Sequence, residues 1–186
     1  MSGKLEVPGS IRIPVTVLVE RRPGVTRWAE WSWRAVEVLE QAPEMPDWTV
    51  LREVAGSTLF LAGRAEVLFC PTDTPNYRDN LTAAAPSIWV VLRPVAPPPG
   101  LALHAVTVDA GEAHLYADTG NDLLESLPLP PGLHARLAAF VAEHHVERMQ
   151  HKCQRDRADP EAMGKRPHGQ PRGQAKGPRR DEDAAG

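Results

Sequence analysis

Two groups of side chains are of types that could do chemistry. Arg21, Arg22 and Arg27 bring three guanidinium groups into seven residues, and Tyr77-Arg78-Asp79-Asn80 sets a phenol, a guanidinium, a carboxylate and an amide side by side. A guanidinium fork matches a carboxylate or phosphate bidentately. Polar residues on a loop held by a rigid sheet are a common place for binding. If both groups lie at one end of the fold, they form an anion-reading or protein-docking patch; internal salt bridging of Arg78 is the competing account. Trp28, Trp31 and Trp33 adjoin the arginines. They either fill the core, where large aromatics dominate the energetics, or leave Trp28 or Trp31 exposed as part of a recognition surface. The binding candidates are therefore Arg21, Arg22, Arg27, Trp28, Trp31, Tyr77, Arg78, Asp79 and Asn80.

Other chemistries find less support. His144, His145, His151 and Cys153 offer imidazole and thiolate ligands, but their spacing matches no structural zinc pattern, and solvated histidines at a helix end are the simpler reading. No metal or cofactor is predicted. Ser57 and Ser87 fall in predicted strands without a glycine elbow, and Cys70 reads as a small buried residue. Neither a Walker A loop nor a dinucleotide fingerprint occurs. Asp118 and Asp122 read as a solvated loop. No catalytic residue is assigned, and the reading leans away from an enzyme.

The elements that must position these residues are short and punctuated. The chain has 186 residues, 19 of them proline and 42% hydrophobic, which fits one domain with an appendage. Residues 1–147 hold eleven Lys and Arg against eighteen Asp and Glu, whereas residues 148–186 hold ten against six. The body is acidic and the tail basic, so nucleic acid or an anionic membrane would have to be met through the tail. Two cysteines form no disulfide framework, and no export signal or apolar run long enough for a bilayer is present, so a cytoplasmic location is expected.

Ser87 to Pro94 contains five consecutive apolar residues stopped by a proline, and is the predicted centre of a sheet. Residues 11–20 read as a first strand, with Pro14 suggesting an edge position or the strand's start. Pro23-Gly24 turns the chain into a second strand over 27–39, with a bulge near Arg34 to Val36 where the apolar parity changes. Residues 48–54, 58–61 and 65–70 read as three further strands, the last two separated by a turn at Ala62-Gly63. Another strand covers 101–108. Asp109 and Glu112 have capping-box spacing and predict a short helix over 110–117, followed by an extended stretch over 122–129. Pro131 opens a helix whose Leu133, Leu137, Phe140, Val141 and His144 recur at helical spacing. The expected fold is mainly β, an antiparallel sandwich or partly open barrel with a short helix and a C-terminal packing helix. The expected organisation is a leader over 1–10, one β-rich domain over 11–149 and a disordered basic tail over 150–186. That tail is either an interaction arm or a solubilising segment.

Taken together, the run from Ile13 to Arg22, Trp28 to Trp33, Trp48 to Leu51, Tyr77 to Leu81, Ser87 to Pro94 and Phe140 to Glu147 resemble, in order, the bacterial domain-of-unknown-function 3305 family. The resemblance spans about residues 11 to 165. It implies a role beside molybdopterin-dependent formate dehydrogenases: an accessory protein in maturation or cofactor supply, acting by binding a formate dehydrogenase subunit or maturation factor. The alternative it implies is a small-molecule binding protein or enzyme of molybdopterin or nucleotide metabolism. No catalytic residues come with it.

Overall fold

A run of five buried residues, Val15 to Val19, organises the first sheet of the computed structural model, which describes residues 7–24, 30–96 and 100–146. These residues lie in β1 (Ile11–Pro23), which pairs antiparallel with β2 (Trp31–Leu39) on one side and β4 (Ser57–Phe69) on the other. β3 (Thr49–Val54) completes the order β2-β1-β4-β3. A strand with neighbours on both sides, covered on both faces, reads as a nearly continuous apolar run, here broken only by the buried Thr16. Of the two places Pro14 suggests, the edge strand is therefore corrected, whereas a position near the strand's start is found. Pairing with β2 begins only at Thr16, so Pro14 sits where β1 has β4 alone beside it and its missing N–H costs no ladder bond on the open side.

The hairpin of β1 and β2 and its bulge are as the sequence predicts. Leu18 faces Glu37 and Val19 faces Ala35, which leaves Val36 as the extra residue. The turn expected at Ala62-Gly63 is not formed. One strand runs through it, with Ala62 as a bulge between the Val17–Gly63 and Leu18–Leu61 pairs. Gly63 suits the bulge because its φ of 152° is one that residues with a β-carbon rarely adopt.

The second sheet has the order β6-β5-β7, built from β5 (Ser87–Pro94), β6 (Leu101–Thr107) and β7 (Leu123–Pro128). β5 is its centre, as expected. Val17, Val19, Ala35, Val67 and Phe69 from the first sheet and Ile88, Val90, Leu92 and Val106 from the second share one core. Fully burying each of the valine, leucine, isoleucine and phenylalanine side chains contributes about 1.5–3 kcal/mol. The result is a two-sheet antiparallel arrangement, open rather than a closed barrel.

Three helices close it. After a 3-10 turn at Pro71–Asp73, α1 (Thr74–Thr82) packs on α3 (Pro131–His144), and α2 (Ala110–Asp118) packs on β5, β6 and β7. Asp109 caps α2 by accepting from the Gly111 and Glu112 amides at 2.8 and 3.3 Å, whereas the Glu112 carboxylate accepts from the Thr107 hydroxyl. Helix α3 begins on prolines and has no local cap. Its Leu133 amide donates to Glu40, 93 residues earlier, and a β-carbon on Gly132 would collide with that carboxylate. The Leu133, Leu137, Phe140 and Val141 stripe is buried as predicted. Among the described residues no helix is long and apolar enough to cross a membrane. Arg27, Trp28, His151, Cys153 and the tail over 150–186 lie outside the described residues.

Candidate functional site

The segment Tyr77 to Asn80 is not a loop. Thr74, Tyr77 and Asn80, three apart, form the buried face of α1. Tyr77 is fully buried between the rings of Phe69 and Phe140, at 5.9 and 6.4 Å. Its hydroxyl accepts from the Cys70 amide at 3.1 Å and donates to the Leu68 carbonyl at 3.3 Å. Burial pushes its phenol well above the usual range, so it stays protonated and works as structure. The Asn80 amide nitrogen donates to the Ser87 and Val108 carbonyls at 2.8 and 2.9 Å, and its oxygen accepts from the Ser87 amide at 2.9 Å. That side chain clips α1 to the start of β5 and the end of β6. Arg78 and Asp79 are exposed, Arg78 lying 3.2 Å from His145 Nε2. Asp79 lines a cavity of about 300 Å³ with Asn76, Ser87, Trp89 and Gly111. A neighbouring groove of about 540 Å³ shares Ala85 and Ser87 and reaches His134.

Arg21 lies elsewhere. Tyr77 packs on Phe69, which pairs with Ile11, whereas Arg21 is ten residues further along β1. At about 3.3 Å per residue the two groups are roughly 30 Å apart. The structure does not bring the seven described candidates to one end.

At the hairpin end the register sets Arg21 opposite Trp33 on β2 and Thr58 on β4. Alternation puts Trp31 and Phe60 diagonal to it on the same face. The Arg21 guanidinium carbon stands 4.2 Å from the Trp31 ring centroid, 5.2 Å from Phe60 and 5.7 Å from Trp33. Trp48 joins from the loop before β3, its ring 5.8 Å from Trp33 and 6.0 Å from Phe60. Its backbone has φ of 63°, a left-handed conformation costly for a bulky residue and held only where the surroundings enforce it. Trp33 and Trp48 pack on the core, but Trp31 is 41% exposed, as are Val50 at 51% and Val54 at 52% on the outer strand β3.

The electrostatics of the two faces of β1 differ. On the reverse face Glu20 accepts from the Ser57 hydroxyl at 2.5 Å and pairs with Arg22 at 2.9 Å, and these contacts, Ser57 first, hold its carboxyl below the usual range. On the aromatic face, Arg21 Nε is buried without a hydrogen-bond partner. Among the described residues its terminal nitrogens make no hydrogen bond or ion pair. A guanidinium held over rings keeps its in-plane N–H edges available for an acceptor.

Asp122 corrects another expectation. Its side chain is fully buried and takes two 2.7 Å bonds from Arg93, so it is no solvated loop residue. Among the described residues, no group of three His, Cys, Asp or Glu side chains is placed to hold a metal. Sequence reasoning passed over Trp48 and Phe60, whose part in the cluster depends on register and on one left-handed backbone.

The fold and this face define a small two-sheet β protein with a guanidinium set among aromatic rings at one end. Residues 14–155 match the model of the family described as protein of unknown function (DUF3305), and the chain belongs to that family. No curated protein and no solved structure matches it.

Proposed function

We propose that the protein is a non-enzymatic accessory factor that docks a partner protein through the hairpin end of its four-stranded sheet. One observation carries this reading: Trp31 stays 41% exposed while stacked on a guanidinium that has no carboxylate partner among the described residues. Tryptophan and arginine are the residue types most enriched at interface hot spots. The partner follows from the resemblance drawn from the sequence: a subunit of a bacterial molybdopterin-dependent formate dehydrogenase, or a factor that matures it in the cytoplasm. The small-ligand alternative has weaker support, because a phosphate-bearing pterin calls for cationic lining and neither cavity described above is lined by arginine.

Affinity purification of the full chain from the native bacterium, with mass spectrometry, tests the proposal. A formate dehydrogenase subunit or maturation factor should copurify with the wild type and fall roughly tenfold or more with Trp31→Ala. Equal recovery with both would overturn the assignment of docking to this face. Retention of a pterin or nucleotide without a protein partner would replace docking by ligand binding.

A further inference from the structure

We infer that Arg21 sets the specificity of this face by reading the side-chain carboxylate of an aspartate or glutamate, flanked by apolar residues, on an extended segment of the partner. The inference rests on the docking proposal and names the chemistry of what docks.

Charge complementarity is the first argument. Arg12, Arg22, Arg64 and Arg93 each have a carboxylate within the fold: Glu66, Glu20, Glu44 and Asp122. Arg21 has rings instead. Glu20, next to it in sequence, points to the other face of β1 and is already held by Ser57 and Arg22, and Glu53, which the register through Thr58 sets on the face of Arg21, is two strands away on β3. The fork of Arg21 is fixed by stacking, so little side-chain freedom is left to lose when an acceptor arrives. With Nε closed off from solvent, the carboxylate would meet the terminal Nη1 and Nη2 edge.

The surroundings choose between anions. A phosphate carries about two charges and is usually met by a cluster of arginines. Here Arg22 projects to the opposite face, and the neighbours of Arg21 on its own face are the rings of Trp31, Trp33 and Phe60 with the uncharged Thr58. One guanidinium among apolar rings matches one carboxylate among apolar side chains. The extended form follows from β2, the outer strand beside β1, which among the described residues has a sheet neighbour only in β1 and leaves Trp31, Ser32 and Arg34 exposed. Such an edge accepts an added strand.

The test pans a random-peptide display library against the immobilised full chain and against Arg21→Gln, Arg21→Lys and Trp31→Ala, each first shown to keep the wild-type far-ultraviolet circular dichroism and a cooperative thermal unfolding transition. The wild type should enrich peptides with Asp or Glu beside apolar residues. Arg21→Gln should abolish the acidic preference and weaken the selected peptides about tenfold to a hundredfold. Arg21→Lys, which keeps the charge without the fork, should fall between. Peptides selected without acidic bias, or an acidic bias unchanged in Arg21→Gln, would overturn the carboxylate inference; their loss in Trp31→Ala would leave the docking proposal standing. No enrichment on any form would overturn both. A response of tryptophan fluorescence to inorganic phosphate, abolished by Arg21→Gln and without peptide enrichment, would overturn the inference in favour of a small-anion site.

Discussion

At the helix-closed end of the molecule polar side chains are consumed by the fold, whereas at the hairpin end one is left over. Tyr77 and Asn80 have their hydrogen-bonding groups matched to backbone atoms that would otherwise be buried without partners. Arg21 is packed as firmly, against rings, but its polar edge is turned to nothing within the described residues. A cluster of functional-looking side chains is thus a weaker sign of a site than an incompletely satisfied one.

The largest expected effect is on the closed end. Tyr77→Ala removes a fully buried ring and should destabilise the protein by about 3–5 kcal/mol in a denaturant titration. A loss below about 1 kcal/mol would return Tyr77 to the list of binding residues. Asn80→Ala leaves two carbonyls and an amide without their partner and should cost about 2–3 kcal/mol by the same measurement. Gly132→Ala should cost about 0.5–2 kcal/mol, because its β-carbon displaces the Glu40 carboxylate and the Leu133 amide loses its cap. Replacing Glu40 with Ala in the same chain should then add less than its effect alone, since the contact is already broken.

The Arg93–Asp122 pair gives a pH-dependent version of this contrast. The hydrogen bonds from Arg93 hold the Asp122 carboxyl below its ordinary value. A carboxyl depressed in the folded state contributes stability that is complete above its unfolded pKa and lost as pH falls through the folded one. Wild type and Asp122→Asn should therefore differ in stability at neutral pH and converge under acid. Glu125, raised by burial, titrates with the opposite sign, so the difference between the two proteins is the quantity to follow. A gap that stays constant down to strongly acid pH would show that the carboxylate charge contributes nothing.

Trp31→Ala should have the smallest effect on stability, within about 1 kcal/mol, because the ring is only part covered. A loss approaching that of Tyr77→Ala would erase the distinction between the two ends and mark Trp31 as core.

Much of the fold was legible because apolar runs report burial directly. Ile88 to Leu92 is continuous and became the centre of the second sheet, and the parity change in β2 located its bulge. Three misreadings share one cause, the use of a local signal for a long-range fact. Pro14 marks an open side for one stretch of β1, although Val15 to Val19 form the middle of the first sheet. Gly63 marks a bulge inside a strand rather than its end. The period of α1 escaped notice because two of its three buried residues, Thr74 and Asn80, are polar. The candidate site was half legible. Composition placed arginines beside tryptophans and offered Trp31 as an exposed ring, but the stacking of Arg21 needs the three-strand register, and nothing in the chain announces the left-handed Trp48.

Hydrogen–deuterium exchange of the full chain, alone and bound to the partner it captures, tests the central claim most directly. The account predicts new protection in peptides covering residues 31–39 and 48–61, with 74–82 unchanged. Protection confined to 74–82, with the hairpin end exchanging as in the free protein, would contradict it.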